Sequence, residues 1–132
     1  MNMHVTEKEA AAEILRISGV KPENCMQCGK CSAACPAGSK MDILPHRFVW
    51  ELMNGRVNTL AASNTLWQCL SCFTCSARCP RGVDPAKLIE AVRLSVIRQQ
   101  GVNRLNVDAL PAEIDEMIPQ QALVSALRKY NK

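Results

Sequence analysis

Apolar residues recur at three- and four-residue steps through most of this chain and nowhere alternate strictly. Ala10, Ile14 and Ile17, with Ala11 and Leu15 beside them, mark one face of a helix over about residues 7–18. Thr6-x-x-Glu9 ahead of it is a capping-box signature, and Gly19 behind it is a helix stop. A second helix is predicted from Pro45 to Asn54-Gly55, with Phe48, Val49, Leu52 and Met53 turned inward. Residues 62–68 (ASNTLWQ) read as a cap and a short helix. Asp84-Pro85 opens another helix, with Asp as N-cap and Pro in the first turn. Leu88, Val92 and Val96 with Ile89 and Ile97 form its apolar side, and Gly101 ends it. Pro111 and Pro119 interrupt the remaining stretch, leaving one short amphipathic helix over Ala122-Leu123-x-x-Ala126-Leu127. No period-2 stretch is strong enough for a strand, so the predicted fold class is all-α.

A chain of 132 residues is long enough for one small core, and only five residues are aromatic, so that core is mostly aliphatic. The organisation expected is an N-terminal amphipathic helix over 1–20, a central domain over 21–101 and a C-terminal docking segment over 102–132. No long uncharged apolar run predicts a transmembrane helix. The first twenty residues lack the basic start, apolar stretch and cleavage site of a signal peptide, which points to the cytoplasm. There thiols stay reduced, and clustered cysteines more often bind metal than pair.

All eight cysteines fall in two identical runs: Cys25-x2-Cys28-x2-Cys31-x3-Cys35-Pro36 and Cys69-x2-Cys72-x2-Cys75-x3-Cys79-Pro80. This spacing with a following proline is the ligand pattern of a [4Fe–4S] cluster, and its duplication predicts two of them. Iron in such clusters prefers soft thiolate ligands. Three close cysteines grip one cube from a single turn, and the fourth comes from elsewhere. In two-cluster ferredoxins the last cysteine of each run ligates the other cluster. The expected ligand sets are therefore Cys25, Cys28, Cys31 and Cys79 for one cluster, and Cys69, Cys72, Cys75 and Cys35 for the other. Zinc sites need only paired C-x2-C knuckles, without a third cysteine in register or a proline. A four-disulfide scaffold belongs to secreted mini-proteins. Thirty-three residues separate Cys35 from Cys69, room for a helix and two connections. Each half then reads as cysteine run, turn and helix, the two halves related by an approximate two-fold axis.

Residues 21–104 hold eleven Lys/Arg and five Asp/Glu, a surplus of six, so the positive charge of a chain whose net charge is +4 is concentrated around the cysteines. Two oxidised clusters, each carrying about two negative charges with their thiolates, offset about two-thirds of that surplus. Scarce aromatics and the lack of a Lys/Arg run argue against nucleic-acid binding. Arg78 and Arg81 flank Cys79, and Lys30 lies inside the first run; each is either a solvated surface cation or one that raises the potential of the nearest cluster. The small residues Gly29, Ser32, Ala33, Ser71, Ser76 and Ala77 permit close backbone approach. His4 and His46 are too isolated to read as ligands, and Trp50 and Trp67 read as packing residues. No acid–base pair, nucleophile constellation or Gly-rich phosphate loop is apparent. No catalytic residue is therefore assigned: the chain carries electrons, and substrate chemistry falls to a partner.

The segments CMQCGKCSAACPAGSKMDILPHR and TLWQCLSCFTCSARCPRGVDPAKLI resemble the C-type subunit of heterodisulfide reductase over about residues 20–100. The second segment's W-x-C-x-x-C-x-x-C-x-x-x-C-P-x-G-V pattern is shared more loosely with the helical iron–sulfur domains of succinate dehydrogenase, fumarate reductase and anaerobic glycerol-3-phosphate dehydrogenase. The resemblance implies an α-helical ferredoxin with two [4Fe–4S] clusters, an electron-transfer subunit of an oxidoreductase complex. It relays electrons between a flavin-containing A-type partner and a catalytic iron–sulfur B-type partner. In methanogens, the B-type partner reduces a mixed disulfide and the A-type partner performs electron bifurcation. The rival readings are an iron–sulfur subunit of another soluble oxidoreductase, a free ferredoxin and, more remotely, a zinc-binding scaffold. The chain has no C-x-C-C-G motif of the B type, and residues 102–132 match no recognised pattern.

Overall fold

A computed structural model describes residues 6–98 and 117–127. The chain divides into two units between Gln99 and Gln100. In the first unit the helices are α1 (Glu7–Ser18), α2 (Lys30–Ala33), α3 (Pro45–Met53), α4 (Val57–Ala62), α5 (Thr65–Gln68), α6 (Thr74–Ala77) and α7 (Pro85–Ile97), with single 3₁₀ turns at Pro22–Asn24 and Gly38–Lys40. The second contains α8 (Gln120–Leu127). The described residues contain no strand, and the fold is all-α.

Helix α1 starts where its sequence dictates. Thr6 Oγ1 accepts the Glu9 amide at 3.3 Å, and Glu9 accepts the Thr6 amide at 2.8 Å, closing the capping box. Gly19 ends it in the left-handed conformation (φ 64°), which a side chain adopts only under strain. Helix α7 is the hub: α1, α3, α4, α5 and α6 all pack on it. The core joins Ala11 and Ile14 of α1, Phe48, Val49 and Leu52 of α3, Val57 and Leu60 of α4, and Leu66 of α5 to Val83 and to Leu88, Ile89, Ala91 and Val92 of α7. Full burial of each larger aliphatic or Phe side chain contributes about 1.5–3 kcal/mol. Two polar devices tie elements across the sequence. Glu51, buried on α3, meets Arg56 at 3.1 Å and Arg47 at 3.7 Å. Asp42 accepts the amides of Asn64 and Thr65, each at 2.9 Å, and so caps α5 from more than twenty residues away in sequence.

Two expectations for these helices need correction, and one helix is new. Met53 is 47% exposed, because helical spacing assigns a face but not where along the helix the partner ends. Asp84 occupies the N-cap of α7 but makes no capping bond; its carboxylate pairs with Lys87 at 2.8 Å instead. Helix α4 was not predicted, since Val57 and Leu60 give one apolar repeat and no side-chain cap precedes them. His4 and Gly101 lie outside the described residues.

Candidate metal centres

Each cysteine run folds into a tight concave loop followed by a single helical turn. Left-handed backbone falls at the same two places in both: Gln27 (φ 54°) and Gly29 (φ 76°), then Ser71 (φ 51°) and Phe73 (φ 58°). Alternating left-handed residues curl a chain into the concavities that bind anionic groups, iron–sulfur sites among them. The third cysteine of each run, Cys31 or Cys75, sits in the short helix α2 or α6 and is buried.

The loops line two cavities, each partly open to solvent. Cys25, Cys28 and Cys31 line the first together with Cys79. Cys69, Cys72 and Cys75 line the second together with Cys35. The fourth cysteine of each run thus crosses to the other half, brought there by α2 packing against α6. Cys31 and Cys75 meet with Ala86 in a small buried cluster where the two cavities approach each other.

The surroundings favour thiolates that are shared with metal. Burial pushes the Cys31 and Cys75 thiols up, so neither ionises freely in the absence of a compensating cation. Hydrogen bonds act the other way: Ser32 on Cys31, and the Ala86 amide at the start of α7 and Ser76 on Cys75. Thr74, with Oγ1 3.3 Å from Cys72 Sγ, lowers that exposed thiol. The Val83 amide donates to Cys79 Sγ at 3.3 Å, and Gln27 Nε2 to Cys25 Sγ at 3.2 Å. Ser76 Oγ, a buried hydroxyl, lies close enough to lower both the Cys75 thiol and the Asp84 carboxyl. Among the described residues no three Cys, His, Asp or Glu side chains converge as for a single ion; the thiols line a wider space. Four soft donors around each cavity, with hydrogen-bond donors aimed at the sulfurs, suit an iron–sulfur cube.

Several side chains near these cavities were not legible as such. His46 lines the first cavity, with Nδ1 2.7 Å from Ser32 Oγ and its amide donating to the same oxygen at 3.1 Å. Arg81 lines that cavity too, its Nε donating to the Asn24 carbonyl at 3.3 Å. Trp67, expected to pack, is 57% exposed, and Trp50 is half-exposed with Arg56 over its ring at 5.2 Å. Arg78 and Lys30 are exposed.

Residues 24–84, which contain both runs, match a protein-family model described as a 4Fe-4S dicluster domain. No curated protein matches the chain. Residues 24–84 are thus similar to a two-cluster iron–sulfur domain, consistent with an all-α fold of the α-helical ferredoxin type; the cofactors are two [4Fe–4S] clusters, which supports a role in electron transfer. No helix among the described residues is long and apolar enough to cross a membrane.

Proposed function

We propose that this chain is the electron-relay subunit of a cytoplasmic oxidoreductase complex of the heterodisulfide reductase type. In this reading it passes electrons between a flavin-containing A-type partner and a catalytic iron–sulfur B-type partner. The observation that carries it is the pair of four-cysteine cavities meeting at Cys31 and Cys75. Cys25, Cys28, Cys31 and Cys79 would hold one cluster; Cys69, Cys72, Cys75 and Cys35 the other. When bound, each cluster supplies a site that takes up and gives back one electron. The protein's part is to hold the two sites side by side, with the buried cysteines and Ala86 between them and water excluded from the gap. The side chains around the cavities are thiols, apolar groups, an imidazole and a guanidinium, and the imidazole of His46 is tied to Ser32 Oγ, which also accepts the His46 amide. Eight thiols lining two adjoining cavities support a carrier whose substrate chemistry resides in a partner.

Membership of a complex is supported by apolar residues exposed beside the cysteines: Met26, Leu70 and Phe73 flank the two loops. Residues 102–132 are assigned to docking. The test is anaerobic affinity purification of the tagged full chain from its own organism. The expected result is about eight irons and eight sulfides per chain, the content of two cubes, together with a flavoprotein and a second cysteine-rich protein. A loaded chain that comes away alone makes the protein a free carrier. A colourless, zinc-only chain overturns the iron–sulfur reading.

A further inference from the structure

The two halves of the domain are built alike, so the places where their cavities differ stand out. Aligning the runs on their cysteines and on Pro45 and Pro85 sets Gly29 against Phe73, Arg81 against Ala37, His46 against Ala86, and Val49 against Ile89. All eight of these residues line their respective cavities. Three of the four pairs change character, and each changes in the same direction. The second cavity is lined by apolar residues and its cysteines alone. The first carries an arginine, an imidazole and an open glycine rim, since a Cβ on Gly29 would meet nothing within 4 Å.

Phe73 sharpens the contrast. It adopts the left-handed conformation (φ 58°) that its counterpart Gly29 adopts without cost. A bulky side chain held there is strained and persists only where the surroundings fix it. The strain places an aromatic ring, 44% exposed, on the lining of the second cavity beside the exposed Leu70.

We infer that the two cavities are tuned apart, and that the cluster site of Cys25, Cys28, Cys31 and Cys79 has the higher reduction potential. This rests on the two-cluster reading above and goes beyond it by fixing the order of the sites. Reduction adds one negative charge to a site. A cation at the rim stabilises that charge, and a lining without charged or polar side chains does not. Arg81 follows the second run in sequence, yet the crossing of Cys79 delivers it to the first cavity, where the Asn24 carbonyl holds it. Other charges do not cancel this difference. Arg93 donates to the carbonyls of Leu66 and Cys69 behind the second loop, but Glu90 pairs with it and it does not line the cavity. Asp84, near the first cavity, is paired with Lys87. Ser32 and Ser76 follow the third cysteine in both halves and each bonds toward its own cysteine, although Ser32 Oγ is also held by His46. Downhill transfer then runs from the second cavity to the first. One electron leaves the site of Cys69, Cys72, Cys75 and Cys35, which is oxidised. It reduces the site of Cys25, Cys28, Cys31 and Cys79, and no proton or bond moves.

The experiment is a dithionite redox titration of the full chain loaded with both clusters, followed by electron paramagnetic resonance. Two one-electron waves are expected. Arg81→Gln, at an exposed position, lowers the upper wave alone. The partition of the electron between the sites falls by about tenfold, equivalent to about 59 mV for one electron. Arg81→Lys retains the upper wave, and high salt shrinks the Arg81→Gln shift, as a surface charge requires. Phe73→Gly, which relieves the strain and opens the rim, raises the lower wave alone. Coincident waves in a chain holding two cubes, or an Arg81→Gln shift confined to the lower wave, overturn the inference and leave the two-cluster reading standing. A chain that takes up no second cube overturns both.

Discussion

Replacing Cys79 by serine separates sequence from space most directly. Cys79 belongs to the second run but lines the cavity of Cys25, Cys28 and Cys31. Anaerobically loaded Cys79→Ser is expected to lose that cluster and keep the one at Cys69, Cys72 and Cys75, with iron falling to about half of the eight that two cubes hold. Loss of the other cluster instead would sink the crossed assignment. A second single-residue prediction concerns Asp42. Burial alone would raise its carboxyl, but bonds from Thr65 and the amides of Asn64, Thr65 and Ile43 outweigh burial and hold it below 3.8. A carboxylate depressed in the folded state contributes stability above its unfolded pKa and loses it as pH falls through the folded one. Asp42 is exposed, so screening discounts the bonds, and Asp42→Ala is expected to cost about 1 kcal/mol at pH 7. The gap between wild type and variant should close as pH drops below 3.8. Urea unfolding followed by circular dichroism at several pH values measures it; a gap unchanged down to pH ~3 would remove the carboxylate from the account.

At the scale of elements, α1 and α3 pack on α7, and Phe48 of α3 is the largest fully buried side chain among the described residues. Phe48→Ala is expected to destabilise the loaded domain by about 3–5 kcal/mol, read from its unfolding midpoint. A cost under ~1 kcal/mol would mean that the core collapses to fill the hole. Elements of this kind were legible in the chain because they carry their own signals. Thr6, Glu9 and Gly19 bracket α1, and Pro45 and Pro85 begin α3 and α7. Helix α4 had no such punctuation, and Met53 and Trp67 lie outside what periodicity can assign. The eight thiols were legible as a set because an iron–sulfur cube imposes its spacing on the chain. The parts played by His46 and Phe73 were not, since a lone residue acquires meaning only from what faces it. The one signal available was the register between halves, where Pro45-His46 answers Pro85-Ala86 and Gly29 answers Phe73.

For the whole molecule, the aliphatic core and the metal-binding half respond differently to loss of iron. The main core runs through α1, α3, α4, α5 and α7, whereas Cys31, Cys75 and Ala86 form a cluster of their own. Helices α2 and α6 are four residues each, too short to persist without a partner. Their loops include left-handed Gln27, Ser71 and Phe73, conformations that non-glycine residues leave once nothing holds them. Stripping iron by chelation in the presence of a reductant that keeps the thiols free is therefore expected to release residues 25–36 and 69–80 first. Amide exchange in these segments should approach that of unfolded chain, while α7 retains protection and most of the far-ultraviolet helical signal survives. Metal binding then counts as folding energy for the loops and not for the bundle. Uniform loss of protection across α7 on chelation would show instead that the core depends on the clusters, and the two parts would have to be treated as one cooperative unit.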